Sequence, residues 1–75
     1  MPRRWSSSPG DVYAAHSYDH HKVLYCLRGS IVFRLTGADE EITLRPGDRL
    51  DVEPGTMHAA LAGPDGVTCI EAARG

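Results

Sequence analysis

Seventy-five residues with 41% apolar content leave room for one small domain and exclude a second core. A formal net charge of −2, with both signs scattered along the chain, offers no basic face to a phosphate backbone and excludes nucleic acid as a partner. No apolar stretch is long enough for a spanning helix, and no apolar segment follows Arg3 and Arg4 as in a signal peptide, so no membrane is expected and the expected location is cytoplasmic.

In chain order, residues 1–10 read as an N-terminal arm whose one large apolar group, Trp5, needs a docking place on its own domain or across a dimer. Residues 11–75 read as the β domain. If the run His16-Ser17-Tyr18-Asp19-His20-His21-Lys22 is extended, then His16, Tyr18, His20 and Lys22 share one face, and His21 on the other is expected in solvent. Val23 to Leu27 is apolar on both faces, which calls for an outer cover from the arm or a second subunit. Ile31, Phe33 and Leu35 form an inward row, and Asp39, Glu40 and Glu41 read as an acidic hairpin tip. Ile42 with Leu44, and Leu50 with Val52, alternate as half-buried strands. Between them Arg45-Pro46-Gly47-Asp48 fits a type II turn, with Pro presetting one φ, Gly accepting a positive one and Asp48 closing the turn onto backbone. After Pro54-Gly55 come His58 and then a final strand, Val67 to Ala72, apolar on both parities. Cys26 and Cys69 each sit in an apolar run and read as small core residues with reduced thiols. The punctuation is too dense for helices, so the fold class is all-β, curled around an interior that contains histidine.

Two segments carry a family resemblance. The run from His16 to Gly29 resembles the first cupin motif, and Pro46-Gly47-Asp48 through Gly55 to His58 resembles the second, so that the likeness covers roughly residues 10 to 72. The resemblance implies a minimal cupin-type jelly-roll β-barrel, commonly a homodimer, with a divalent metal ion in the barrel. Anchored on Gly29, it sets His16 and His58 at metal-histidine positions, Tyr18 at another histidine's and Lys22 at the glutamate's. Tyrosine is a poor ligand at neutral pH, and an ammonium repels a cation.

A set of His16, His20 and His58 would restore three nitrogens, which suits Zn, Fe, Ni, Cu or Mn better than Mg or Ca. Tyr18 and Lys22 are then candidates for holding a cofactor or an anionic ligand. The expected function is divalent-metal binding with metal-dependent small-molecule chemistry. The alternative is a metal-free module, either binding a small ligand or serving regulation and assembly with a vestigial pocket. Asp48 and Asp51 differ in parity and do not make an acid–base pair, and no nucleophile triad or phosphate-binding Gly loop is present.

Overall fold

The computed structural model describes residues 2–17, 19–35 and 40–74. Its elements are six strands: β1 (Arg3–Ser7), β2 (Val12–His16), β3 (His21–Leu35), β4 (Glu40–Leu44), β5 (Arg49–Val52) and β6 (His58–Arg74). All pairings are antiparallel. The two long strands, β3 and β6, run against each other from His21↔Arg74 to Leu35↔His58 and carry the other four on their flanks. One half of the pair bears β1 on β6 and β5 on β3; the other bears β2 on β6 and β4 on β3. The sheet is therefore two four-stranded halves with open edges.

What folds one half over the other is a break in the β3–β6 ladder. The register shifts between Cys26 and Arg28 and again between Gly29 and Ile31. An extra residue in one strand reverses which side chains face inward. Leu24 and Cys26 are buried before the break, Ile31 and Phe33 after it; on β6, Ala60 and Ala62 give way to Val67 and Cys69. These residues join Leu44, Leu50 and Val52 in a single cluster, so both halves contribute to one core.

The arm is built into the sheet, with Trp5 opposite Cys69 and packed on the core. It extends the sheet edge and does not cover the outer face of Val23 to Leu27. There Val23 is buried, while Tyr25 and Leu27 stay about two-fifths exposed, with the Arg49 guanidinium 5.6 Å from the Tyr25 ring. His21 is half-buried at the start of β3, with its Nε2 shielded, so it does not stand in solvent as expected. Glu40 and Glu41 open β4 and Glu41 pairs with Arg34, whereas Asp39 lies outside the described residues.

The 45–48 turn forms as expected. Asp48 N–H donates to the Arg45 carbonyl, Arg45 N–H donates to Asp48 Oδ2, and Gly47 has φ 94°. Gly29 is the tighter constraint. Its φ is 71°, and a Cβ there would lie 2.0 Å from the Gly66 carbonyl oxygen, where the two long strands bend past each other. Gly29→Ala is accordingly expected to destabilise by about 2–4 kcal/mol through strain plus clash. Gly47→Ala, with positive φ but nothing within 4 Å, should lose only about 1 kcal/mol. Urea unfolding of both variants measures the contrast, and equal losses would contradict the close-approach argument.

Candidate functional site

Strand β2 ends at His16 and β3 begins at His21, so the histidine-rich run is not one strand. A register shift between Tyr13 and His16 then brings His16 directly opposite His58, the first residue of β6. The two imidazole rings lie 4.5 Å apart between centroids, tilted by 56°. His58 is buried at 2% exposure, beside Phe33.

Both rings are held from behind in the same way. His16 Nδ1 lies 2.9 Å from the Ala14 carbonyl and His58 Nδ1 lies 3.1 Å from the Thr56 carbonyl. A carbonyl only accepts, so each Nδ1 carries the proton and Nε2 becomes the lone-pair nitrogen. The turn before His58 sets this up, because Thr56 N–H donates to the Glu53 carbonyl across Pro54-Gly55 and aims the following carbonyl at the ring.

The pair borders a recess of about 170 Å³ floored by Leu24, Ile31 and Phe33. Its polar wall comes from Arg3, Ser6, Tyr13, the two histidines and Glu71. Trp5 lines it edge-on to Tyr13, with ring centroids 5.9 Å apart. The Tyr13 hydroxyl is hydrogen-bonded to Ser7 Oγ. Trp5 Nε1 is buried and has no hydrogen-bond partner among the described residues.

Lys22 and His20 are not among the residues that line this recess. Lys22 Nζ donates to Glu71 Oε2 at 2.6 Å, and Arg3 approaches the other carboxylate oxygen at 3.7 Å. His20 hydrogen-bonds Asp19 and opens, with Lys22, on a neighbouring recess that shares Glu71 and Arg3 with the first. The structure therefore brings His16 and His58 together and leaves His20 apart from them, while Tyr18 lies outside the described residues.

For a divalent ion of the kind the resemblance implies, the donor chemistry suits it: two imidazoles whose Nδ1–H groups are anchored by backbone carbonyls. The number of donors falls short. Among the described residues no group of three His, Cys, Asp or Glu side chains could hold a metal ion, whereas catalytic zinc sites use three protein ligands.

Glu71 was not among the residues picked out from the sequence, nor were Arg3, Ser6 and Tyr13. Glu71 had a legible signal: it continues the inward parity of Val67 and Cys69, and a carboxylate there must find a cation. The others come from the arm and β2, whose placement depends on pairing with β6.

Residues 5–69 match the family of the AraC-like ligand binding domain. Among solved structures, the chain is similar to a cupin superfamily protein from Desulfitobacterium hafniense, with 24% identity and a TM-score of 0.82 over 93% of this chain and 62% of that one. It is similar to an RmlC-like cupin from Shewanella frigidimarina, with 24% identity and a TM-score of 0.82 over 95% and 61%. A third similar structure is KdgF from a Halomonas species, with 28% identity and a TM-score of 0.81 over 97% and 66%. The chain spans about six-tenths of the length of the first two structures. No curated protein matches it. Among the described residues no helix is long and apolar enough to cross a membrane.

Burial lowers the His58 pKa below its usual 6.5, aided by the nearby His16 and Lys22 and opposed by the Thr56 carbonyl. Folded His58 therefore binds a proton more weakly than unfolded His58 does. Its contribution to stability is complete above about pH 6.5 and declines as pH falls below that value. In metal-free buffer, the urea midpoint should be lower at pH 5 than at pH 7.5, and His58→Gln should shrink that difference. A variant with an unchanged pH dependence would count against burial of His58.

Proposed function

Because this chain belongs to the AraC-like ligand binding domain family, we propose that it binds a small organic molecule bearing a carboxylate in the recess over His16 and His58. The observation that carries the reading is the lining: an apolar floor beside two hydrogen-bond donors, the Arg3 guanidinium and the Trp5 indole N–H. Arg3 lies at the rim, and Trp5 Nε1 is a donor with no partner among the described residues. An unsatisfied buried donor costs about 1–3 kcal/mol, which an accepting ligand atom would offset. The recess is smaller than the roughly 300–1,000 Å³ of drug-sized sites, so the ligand is a molecule of few heavy atoms.

A second reading adds a divalent ion, which the His16 and His58 imidazoles would hold and which would supply metal-dependent chemistry on that ligand. The carbonyl-anchored Nδ1 atoms favour it. We read the protein further as a cytoplasmic homodimer. Its support is an outward row in which Val12 faces Leu61 and Leu61 faces Val32, with Val12 76% and Leu61 47% exposed. Lys22, already engaged by Glu71, serves as a wall of the neighbouring recess and not as the main ligand contact.

Trp5 is the chain's single tryptophan and lines the recess, so its fluorescence reports occupancy. Titration with short carboxylic acids and with neutral sugars, each with and without Zn²⁺, should give saturable change for a carboxylate. Arg3→Leu should weaken that binding about tenfold or more. No saturable change from any carboxylate defeats the reading; dependence on Zn²⁺ selects the second.

A further inference from the structure

The two cysteines meet across the two strands that hold the fold together. Cys26 on β3 faces Cys69 on β6 in direct register, both are buried, and both are free thiols. The kind of facing matters for what they can do. Cys26 N–H donates to the Asp48 carbonyl at 3.0 Å, and Gly47 N–H donates to the Cys26 carbonyl at 2.9 Å. Both main-chain groups of Cys26 thus turn toward the 45–48 turn and away from β6. In an antiparallel ladder that makes Cys26 and Cys69 a non-hydrogen-bonded pair, the kind with Cα atoms about 4.5 Å apart and side chains closest. This falls inside the span of about 4.4–6.8 Å that a disulfide bridges.

The Cys26 S–H points to the Arg28 and Gly29 carbonyls at 3.6 and 3.7 Å. The ladder is irregular immediately beyond Cys26, where the register shifts before Arg28. A bulge at that point lets the backbone take up the small adjustment that closing an S–S bond requires.

We propose that Cys26 and Cys69 form a latent cross-strand disulfide, a modification site that staples β3 to β6 when a small-molecule disulfide is present as oxidant. The step is two exchanges. A thiolate of the pair attacks the small disulfide, forming a mixed disulfide and releasing one small thiol. The second cysteine then loses its proton and attacks the protein sulfur of that intermediate, releasing the other small thiol. The two protein thiols are oxidised by two electrons, and one small disulfide is reduced to two thiols.

Burial governs when this happens. It pushes the Cys69 thiol up to about 12 and raises Cys26 as well, so thiolate is scarce in the folded protein. Oxidation therefore occurs while the chain is open, during folding or transient unfolding, and the folded protein protects the product from reduction. The loop so closed is about forty residues long, in the range where a crosslink restricts the unfolded chain strongly.

The test is to refold the reduced full chain from urea with and without oxidised glutathione. The expected product is a monomer lighter by two hydrogens, with Cys26 and Cys69 peptides joined in a non-reducing digest and a melting temperature higher by about 10 °C or more. Cys69→Ser should melt at the same temperature with or without glutathione; should it not fold, Cys26→Ala replaces it. Two thiols that remain alkylatable, a product halted at the glutathione adduct, or a crosslinked form that melts no higher would each overturn the proposal.

Discussion

The long antiparallel pair of β3 and β6 is the constraint on which everything else depends. A straight fifteen-residue strand paired with one of seventeen would be a flat ribbon with one apolar face and nothing to pack it against. The break near Gly29 converts that ribbon into its own partner. By reversing inward parity on both strands, it turns Leu24, Cys26, Val67 and Cys69 toward the same interior as Ile31, Phe33, Ala60 and Ala62. The short strands then only widen each half. Because a side chain at Gly29 would collide with the Gly66 carbonyl, the bend and the core share one requirement.

The recess inherits its character from that geometry. The end of β6 that begins at His58 is clasped by β2 on one side and β3 on the other, which is how His16, Phe33 and His58 come together from distant parts of the sequence. The far end of β6 contributes Glu71, flanked by Arg3 from β1 and Lys22 from β3. Histidines and carboxylate thus reach one cavity from opposite halves of the sheet. A shared wall, Glu71 with Arg3, separates it from the recess that holds His20 and Lys22.

Strand-forming alternation and turn chemistry were legible, since they are local: Ile31, Phe33, Leu44, Leu50 and Val52 are all buried, and the 45–48 turn forms with its glycine and aspartate in their expected roles. The family resemblance also located His16 and His58, which do meet. His20 was grouped with them on parity alone, and parity fails because the run from His16 to Lys22 contains a strand end, a connection and a strand start. The strand at Arg3–Ser7 was not legible, since it lacks an apolar alternation and owes its conformation to pairing with β6. Tertiary pairing, not local propensity, decided those residues.

The cluster around Glu71 bears on the charge of the ligand proposed above. A carboxylate buried to this degree is strongly disfavoured alone, and Lys22 at 2.6 Å supplies the partner that keeps it tolerable. With Glu71 so neutralised, Arg3 sits at 3.7 Å with a side chain 71% exposed, and the pair's demand for its charge is small. The exposed guanidinium stands at the rim, where the carboxylate of the ligand proposed above would meet it. The buried ion pair gains little as a stabilising contact, and it keeps Glu71 tolerable in the lining of that recess.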